Sequence, residues 1–337
     1  MFYFRPIAMT DAARSDEALP LAGGWCWFDR VEVLTRDGSE GLVAADELPA
    51  AILERLTAPR PALAGLTLDR PRLMGIVNVT PDSFSDGGLY ADRDAAIARG
   101  RELAAAGAEL LDIGGESTRP GAAAVPVEAE IARTAPVIAA LAAGDAAPPI
   151  SIDTRKAAVA QAALAAGARI VNDVSALGFD PGLAPLVAEA GVPVCLMHAQ
   201  GEPATMQDDP RYDDVLLDVY DQLADRIAAA EAAGIGRERI IVDPGIGFGK
   251  TVAHNLALIR GLSLFHGLGC PILLGASRKR FIGAIGGAER AAERVPGTLA
   301  VTLAGLGQGV QIHRLHDIAE AAQALRLWRA MTTGEDG

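Results

Sequence analysis

The chain has 337 residues, of which 50% are hydrophobic, and its formal net charge is −13. This composition suits a large buried core, whereas the negative charge argues against general binding to nucleic acids or anionic membranes. No apolar stretch reaches the roughly 20 residues of a membrane-spanning helix, and the N-terminus lacks the pattern of a signal peptide. The three cysteines have no metal-ligand spacing, which favours reduced thiols and a cytoplasmic location.

Residues 1–65 are predicted to form an N-terminal α+β extension with its linker. Arg30–Thr35 alternates like a strand, and Asp46–Leu56 has the period of an amphipathic helix. Pro59–Gly65 is typical of a linker. Leu66–Arg72 is predicted to form a short hairpin that closes the bottom of the next domain. No pattern in this extension indicates a function.

Eight short apolar runs follow, and each ends in, or leads to, a polar residue. The runs are rich in Val, Ile and Leu without polar alternation, as expected of strands buried on both faces, and segments of helical period separate them. We therefore predict a (β/α)8 TIM barrel over residues 66–332, followed by a disordered tail at 333–337. The runs and their polar ends are Leu73–Val77 with Asn78, Leu110–Leu111 with Asp112, Ile150–Ile152 with Asp153, Arg169–Val171 with Asn172, Val192–Met197 with His198, Ile240–Val242 with Asp243, Ile272–Leu274 leading to Ser277, and Gly309–Ile312 with His313 and Arg314.

Three of these strand ends predict a binding site for a heterocycle. Asp153, Asn172 and Asp243 end the third, fourth and sixth strands, and strand ends meet at the active face of such a barrel. Acceptor side chains without a cluster of metal-type histidines favour a ligand that donates hydrogen bonds. An amino-pyrimidinone edge can give a carboxylate two parallel bonds. The alternative is that Asp153 or Asn172 caps the following helix.

Two long polar loops on the same face predict a lid and an anion site. The loop Asn78–Gly88 is longer than a usual connection, and Asn78 can offer a neutral oxygen to a magnesium ion. Thr118 and Arg119 supply a hydroxyl and a guanidinium beside glycines, which suits a phosphate or pyrophosphate. The alternative for Arg119 is a structural ion pair with Glu116.

Basic residues after the last two strands extend the predicted anion site. Arg278, Lys279 and Arg280 precede a predicted helix whose free N–H groups can bind an anion. Arg314 and His316 follow strand eight, and TIM barrels often bind phosphate near strands seven and eight. The alternatives are a solvated basic turn at residues 278–280 and a purely structural His316.

Only three of the 30 lysines and arginines are lysines, and all three follow predicted strands. Arginine-biased usage explains why Lys156, Lys250 and Lys279 are few, but it does not explain their positions. Because a compact ammonium is not replaced by a planar guanidinium at a tight site, we predict that at least two are functional.

The segment Asp243–Thr251 is similar to a phosphate-binding loop but does not fit the motif. Pro244 stands where GxxxxGK[ST] requires a glycine, so we reject a Walker motif here. We expect the glycines of this segment to let the backbone approach a flat ligand instead.

Eight strings in chain order resemble those of the dihydropteroate synthases, enzymes of bacterial folate synthesis. The resemblance covers Leu73 to about Ala330 and leaves residues 1–65 outside. It implies a transferase that joins (7,8-dihydropterin-6-yl)methyl diphosphate to 4-aminobenzoate, with magnesium as cofactor, as a homodimer. The strings are NVTPDSFSDGG, DIGGESTRPG, SIDT, VNDVSA, LMHAQG, VDPGIGFGKT, SRKRFIG and HRLHD.

The resemblance also implies residue roles. The pterin would contact Asp153, Asn172, Asp243, Lys279 and Arg314. The diphosphate would contact Asn78, Thr118, Arg119, Arg314 and His316, with Asn78 also binding magnesium. The 4-aminobenzoate would contact Phe84, Pro120, Lys279 and Arg280. Catalysis, through a pterin cation formed as pyrophosphate leaves, would depend on Asp153, Lys279, Arg314 and His316.

Three positions depart from the family pattern, and two other functions remain open. Ala199 stands where the family often has Met, Ile246 where it often has an aromatic residue, and Arg280 where Ser is common. A methyltetrahydrofolate:corrinoid methyltransferase would share the fold and the pterin contacts but would not need a pyrophosphate site. A homologue that binds pterin without turnover would be expected to lack a lid or a charged site residue.

Overall fold

A small α+β unit opens the chain in this computed structural model, which describes residues 1–79, 88–117, 124–144, 147–201 and 205–333. Its elements are β1 (Tyr3–Pro6), β2 (Leu19–Pro20), β3 (Trp27–Phe28), β4 (Arg30–Thr35), β5 (Gly38–Ala44) and the helix α1 (Ala50–Thr57). Antiparallel pairing joins β1, β4 and β5 in one sheet and β2 and β3 in another. The predicted α+β character of the extension is therefore confirmed.

The predicted strand of the extension is correct, but the predicted helix begins too early. Strand β4 has the predicted bounds, whereas α1 begins at Ala50 rather than at Asp46. Pro49 explains the difference, because proline disfavours the helical conformation of the residue before it. Leu48 is accordingly extended, with ψ of 148°, and residues 45–47 form a separate 3-10 turn.

In the described part of the chain, eight parallel strands alternate with helices. Most strands are buried along their whole length, as the runs of Val, Ile and Leu predict. In order these elements are β6 (Arg72–Asn78), α2 (Gly88–Ala105), β7 (Leu110–Gly114), α3 (Val127–Ala142), β8 (Ile150–Asp153), α4 (Ala157–Ala165), β9 (Ile170–Asp173), α5 (Leu183–Ala190), β10 (Val194–Met197), α6 (Val215–Ala232), β11 (Ile240–Asp243), α7 (Val252–Arg260), β12 (Leu273–Leu274), α8 (Arg280–Gly286), α9 (Val295–Leu306), β13 (Ile312–Leu315) and α10 (Ile318–Thr333).

The eight strands close into a barrel. Each strand from β6 to β11 pairs with the next one along the chain, and β13 pairs with both β6 and β12. A parallel bridge between Val242 and Ile272 joins β11 to β12 and completes the ring. The predicted (β/α)8 fold is confirmed. None of the helices in the described ranges is both long and apolar enough to cross a membrane.

The last strand begins later than the sequence predicts. Gly309 and Val310, predicted to lie in it, instead belong to the turn that ends α9: Gly309 has φ of +75°, and the N–H of Val310 donates to the carbonyl of Gly305 at 3.1 Å. Strand β13 therefore runs from Ile312 to Leu315. This shift places Arg314 inside the strand rather than after it.

Apolar residues close the bottom of the barrel. Leu63 and Leu68 are buried in one cluster with Met74 of β6, Leu110 of β7 and Ile312 of β13. The predicted closure is present, but the turn lies earlier than predicted, since residues 63 and 66 exchange two backbone hydrogen bonds of 2.9 Å. The domain boundary at residue 65 stays a prediction, and residues 334–337 of the predicted tail lie outside the described residues.

The extension packs against the barrel through a few specific bonds. The indole N–H of Trp25 donates to the carbonyl of Leu306 at the end of α9, at 2.8 Å. The hydroxyl of Tyr3 donates to Asp221 of α6 at 2.8 Å, and that of Ser263 donates to the carbonyl of Pro6 at 2.8 Å. The extension therefore covers α6, the end of α9 and the segment between α7 and β12.

Candidate active site

The carboxyl ends of the barrel strands bring the predicted polar residues to one face. In the register of β6 to β9, Asn78 lies beside Gly114, Gly114 beside Asp153, and Asp153 beside Asn172. Asp243 ends β11 in the same way, level with Met197 of β10. The sheet thus gathers residues that are far apart in the sequence, as the strand-end pattern predicts.

Arg314 is the centre of a buried ion cluster. Its Nε donates to Oδ2 of Asp112 at 2.6 Å, and its Nη2 donates to Oδ2 of Asp153 at 2.7 Å. The side-chain amide of Asn172 donates to the same oxygen of Asp112 at 3.0 Å. Arginine, two carboxylates and an amide therefore form one hydrogen-bonded network across β7, β8, β9 and β13.

Asp112 is the member of this network that sequence reasoning misses. From the sequence, Asp112 is predicted only to end a strand. In the structure β7 continues to Gly114, and Asp112 is fully buried. A carboxylate is almost never fully buried without a partner, so an aspartate directly after two buried leucines was the available signal.

The alternative that Asp153 or Asn172 caps a helix is wrong. The first residue before α4 is Lys156, with no side-chain capping bond, and the corresponding residue before α5 is Gly182. The backbone N–H of Ala157 at the start of α4 is instead bound by Asp180, at 2.8 Å. Asp153 and Asn172 therefore do not cap these helices, and their side chains belong to the ion cluster.

Asp243 and Lys279 are further polar residues at the open end of the barrel where the strands have their carboxyl ends, here called the mouth. Asp243 is buried, and its Oδ1 accepts the backbone N–H of Gly245 at 2.7 Å. The Lys279 ammonium lies 3.9 Å from the ring centre of Phe248, a cation–π contact. A Cβ added at Gly275 would lie 3.4 Å from Oδ2 of Asp243, so a glycine keeps the space beside this oxygen open.

Burial sets the charges of the two site aspartates. Burial, with repulsion from Asp112, raises the pKa of Asp153 to about 7, and the nearby Arg314 opposes this shift. Burial also raises the pKa of Asp243, against the Gly245 hydrogen bond and the charges of Lys279, Lys250 and Arg314. Arg314 stays charged, since its neighbouring carboxylates raise its pKa despite burial. The mouth therefore holds opposing charges in a desolvated setting.

The three basic residues after β12 have different environments. Arg278 pairs with Asp317, with Nε 3.0 Å from Oδ2, so its charge is already compensated. Arg280 is exposed and is the first residue of α8, and Lys279 lies half-buried between them. Lys279 and Arg280 are therefore the two of these cations whose charge Asp317 does not compensate.

His316 is held in place directly after β13. Its backbone N–H donates to the hydroxyl of Ser277 at 3.1 Å, and its Nδ1 lies 2.9 Å from the same oxygen. Ser277 thus orients the imidazole of His316, and the sequence around this serine lacks the G-x-S-x-G motif of a nucleophile.

Lys156, the first of the three lysines, binds two glutamates. Its ammonium lies 2.6 Å from Glu130 of α3 and 3.1 Å from Glu116, and it donates to the carbonyl of Val125 at 2.6 Å. The backbone N–H of Val125 in turn donates to Glu116 at 3.0 Å. Lys156 therefore ties together the two ends of the segment 117–124.

Four predicted site residues lie outside the described residues, and their contacts stay predictions. The same holds for most of the predicted lid and for the alternative pairing of Arg119 with Glu116. The four are Phe84, Thr118, Arg119 and Pro120.

Two glycines of the loop after β11 lie in close contact with protein backbone. Gly245 has φ of +68°, and a Cβ there would overlap the carbonyl of His198; a Cβ at Gly249, with φ of +59°, would lie 2.5 Å from the carbonyl of Gln200. These contacts alone require glycine at both positions, and the approach of a flat ligand to this segment stays a prediction. The two glycines allow the loops after β10 and β11 to touch through their backbones.

Gly245→Ala is expected to lower the free energy of unfolding by roughly 2–5 kcal/mol, from a left-handed backbone plus overpacking. Urea denaturation measures the change. The control is Gly286→Ala at the end of α8, where no atom lies within 4 Å of the added Cβ. That variant should be neutral or slightly stabilising. Equal stability of the two variants would contradict the close loop contact.

The fold and cluster define a (β/α)8 barrel with a network of buried, oppositely charged side chains at the carboxyl ends of its strands. Residues 74–316 match the family described as pterin binding enzyme. The dihydropteroate synthase of Neisseria meningitidis serogroup B (strain MC58) is 48% identical over 268 residues, which cover 78% of this chain and 94% of that protein. The dihydropteroate synthase of Escherichia coli K12 is 44% identical over 271 residues, covering 80% and 95%.

A solved structure agrees with these sequence relatives. Dihydropteroate synthase of Xanthomonas albilineans with 4-aminobenzoic acid is 52% identical, with a TM-score of 0.76, and the match covers 81% of this chain and 98% of that one. The chain therefore belongs to the pterin-binding enzyme family and, within it, to the dihydropteroate synthases. The resemblance read from the eight strings is confirmed.

Proposed function

We propose that this protein joins (7,8-dihydropterin-6-yl)methyl diphosphate to 4-aminobenzoate and releases 7,8-dihydropteroate and pyrophosphate. The observation that carries this function is the buried network of Arg314 with Asp112, Asp153 and Asn172 beside Asp243. A relative from Xanthomonas albilineans, 49% identical with a TM-score of 0.74, has been solved in complex with 7,8-dihydropteroate. Its likeness to this chain supports the same product here.

The pterin binds between the acceptors and cations of the mouth. Asp243 accepts the exocyclic amine and the ring N–H of the pterin edge, and the Gly245 N–H fixes the carboxylate for this contact. Asn172 uses its amide N–H for Asp112, which leaves its carbonyl oxygen as an acceptor for the ligand. Lys279 donates to the pterin carbonyl and N5, and the Arg314 guanidinium stacks on the ring.

The residues near Asn78 fit a magnesium ion that arrives with the diphosphate. Among the described residues, no group of three or more His, Cys, Asp and Glu side chains is placed to hold a metal. Magnesium usually uses one or two protein oxygens together with substrate phosphates and waters. A Cβ at Gly114 would lie 3.8 Å from Oδ1 of Asn78 and 3.7 Å from Oδ2 of Asp153, so this glycine keeps the space between the two oxygens open.

The leaving pyrophosphate is stabilised by positive charge. Arg314 and His316, with Thr118 and Arg119 from the second loop, bind the diphosphate and stabilise the charge that grows as the C–O bond breaks. Magnesium, when bound, adds Lewis-acid stabilisation of the same oxygens. Asn78 would hold the ion.

Bond cleavage leaves a methylene cation that is delocalised into the pterin ring. Asp153 lies beside this site with a buried carboxylate and stabilises the cation electrostatically. We propose that two lids, around Asp82–Gly88 and Thr118–Ala122, exclude water, which would otherwise capture the cation. Phe84, Pro120, Lys279 and Arg280 hold the 4-aminobenzoate, and its neutral amine attacks the cation without a covalent enzyme intermediate.

The ionisation of Asp153 predicts a pH dependence. Only the carboxylate stabilises the cation, and burial raises its pKa to about 7. The value of kcat/KM for the pterin substrate should therefore fall as the pH drops through about 7, since this ratio reports the free enzyme. A pH series for the wild type and Asp153→Asn tests this. An acid limb with the same midpoint in the variant would assign the ionisation to another group, such as Asp243.

A homodimer is the assembly that we propose, and the outward face of α9 supports it. The residues of this helix that face the barrel are buried, Thr298, Thr302 and Leu306 among them, whereas Ala300 and Ala304 are exposed. Apolar residues exposed together on one surface are typical of an interface. Exposed apolar side chains on the flanking helices extend it, namely Ile285 of α8 and Leu327 of α10.

Leu327→Glu is therefore expected to convert a dimer into a monomer, because a charge placed in the interface is desolvated on association. Sedimentation equilibrium measures the mass. The control is Leu42→Glu, an exposed leucine on β5 of the extension, which should leave the dimer intact. A wild-type protein with the mass of one chain would contradict the assembly.

The cysteines and the net charge support the remaining proposals on location and partners. Cys26, Cys195 and Cys270 are free and buried, which suits a reducing cytoplasm. The charge of −13 disfavours nucleic acid and anionic lipid as partners. We therefore propose that only small molecules and a second copy of the chain bind.

Product identification tests the proposed function. Incubation with the pterin diphosphate, 4-aminobenzoate and magnesium should yield 7,8-dihydropteroate by mass spectrometry. Methyl transfer from methyltetrahydrofolate would instead support the methyltransferase, and pterin binding without product would support the silent homologue. The strings STRPG, SRK and RLH, which suit a pyrophosphate site, occur together and favour the synthase over the methyltransferase. The described charged site residues Asp153, Asp243, Lys279 and Arg314 are all present, which favours it over the silent homologue.

A further inference from the structure

Lys250 is a buried lysine that the proposed reaction does not use. It ends the loop that follows β11 and is 3% exposed. Its ammonium donates to Nδ1 of His198 at 2.8 Å, to the carbonyl of Phe248 at 2.9 Å and, more weakly, to the carbonyl of His198 at 3.4 Å. An ammonium has three N–H donors, so these three acceptors match its full capacity.

The bond to His198 fixes the proton of that imidazole. Nδ1 can accept from Lys250 only if the ring is neutral and carries its proton on Nε2. Burial, together with the charge of Lys250, lowers the pKa of His198 to about 3, so the ring is neutral near pH 7. Burial also lowers the pKa of Lys250 to about 7, and Asp243 opposes this shift. A neutral amine would direct its lone pair at one of the three acceptors around Nζ. The resulting repulsion favours the charged ammonium.

Lys250 joins two loops that shape the pterin site. His198 begins the loop after β10, and Phe248 lies in the loop after β11. Gly245, between them in space, touches the carbonyl of His198 and donates the N–H that orients Asp243. The backbone carbonyl of Phe248 accepts a hydrogen bond from Lys250. The Lys279 ammonium lies 3.9 Å from the centre of the Phe248 ring. A shift of this loop would therefore move both Asp243 and Lys279.

Lys250 also contributes charge at the site. Asp243 is buried, and the positive charges of Lys279, Lys250 and Arg314 lower its pKa against the effect of burial. Lys279 and Arg314 are proposed to contact the ligand. Lys250 is enclosed by its three acceptors and cannot reach the ligand in the same way. Its charge offsets that of Asp243 before and after the pterin binds.

We propose that Lys250 is a positioning residue for pterin recognition: it ties the loops after β10 and β11 together and offsets the charge of the Asp243 carboxylate. The inference rests on the proposed function, because Asp243 matters here as the pterin acceptor. Lys250 thus contributes to affinity for the pterin without touching the substrate.

A double-mutant cycle between Lys250 and Asp243 tests this role. Steady-state kinetics are measured for Lys250→Met, Asp243→Asn and the double variant, varying each substrate in turn. Lys250→Met should raise KM for the pterin diphosphate about 10–100-fold, because the two loops lose their shared hydrogen bonds and Asp243 loses an offsetting charge, and leave KM for 4-aminobenzoate within about twofold. In the Asp243→Asn background the same change should cost less than about threefold, since coupled residues are non-additive.

Three further variants complete the test. Arg60→Met removes another buried cation, which donates to the carbonyl of His266 at 3.0 Å between the extension and the barrel, and should lower the melting temperature with both KM values unchanged. If Lys250→Met does not fold, His198→Leu replaces it in the cycle. His198→Asn is the matched control, because its amide oxygen can replace Nδ1 as the acceptor.

The proposal is overturned if Lys250→Met or His198→Leu behaves like Arg60→Met, with a lower melting temperature and wild-type KM values. It is also overturned if the effect in the Asp243→Asn background equals that in the wild type. A wild-type protein that forms no dihydropteroate would contradict the proposed function instead, so the two failures are distinguishable.

Discussion

Asp243→Asn should weaken binding of the pterin diphosphate by about 2–5 kcal/mol, as expected when a buried, charge-assisted pair is broken. Asparagine has nearly the volume of aspartate but replaces one acceptor oxygen with a donor, which would face the donating edge of the pterin. The Gly245 N–H that now binds Oδ1 would keep a partner only if the amide oxygen faced it.

Titration calorimetry without 4-aminobenzoate measures this change, because no turnover then consumes the ligand. The titration is run near pH 8, because burial raises the pKa of Asp243 and the carboxylate must be ionised for the comparison. The matched control is Asp94→Asn, an exposed aspartate on α2, which should bind like the wild type. A wild-type affinity for Asp243→Asn would remove Asp243 from the pterin edge.

Arg314→Ala should lower kcat by about 10²–10³-fold, the usual cost of removing a donor that stabilises transition-state charge. The loss also has a structural part, because Asp112 and Asp153 would remain buried without their shared cation. Removing one partner of a buried pair costs about 3–5 kcal/mol of stability. Arg314→Lys should restore part of the charge but not both bonds, since lysine cannot reproduce the planar fork.

A double variant separates the catalytic and structural parts. Arg314→Met with Asp112→Asn removes the charge left unpaired at residue 112, so it should recover stability in urea denaturation while turnover stays low. The control is Arg169→Ala, an exposed arginine, which should leave both quantities unchanged. Recovery of turnover along with stability would show that Arg314 has only a structural role.

The barrel could be predicted because its signal is local. Each strand is a short apolar run, and a polar residue at its end can be read without knowing its neighbours in space. The boundaries failed where a turn replaced the regular pattern. Gly309 looked like the start of a strand, but its left-handed conformation belongs to the end of α9. Pro49 likewise delayed the start of α1.

The partners inside the site could not be predicted, because they depend on closure of the sheet. Arg314 lies 202 residues from Asp112 in the sequence, and only the pairing of β13 with β6 brings them together. The positions of the lysines were informative, but the glutamates around Lys156 and the histidine beside Lys250 were not visible in the sequence pattern. A residue type at a strand end indicates chemistry, whereas its role depends on the side chains that pack around it.

The most direct test of the account is pyrophosphate release from the pterin diphosphate, with magnesium, in the presence and absence of 4-aminobenzoate. The proposed mechanism predicts release that depends on 4-aminobenzoate and equals the dihydropteroate formed, because the closed site leaves the amine as the nucleophile for the cation. Release at the same rate without 4-aminobenzoate would contradict the exclusion of water. No release under either condition, with the pterin bound, would contradict the synthase itself.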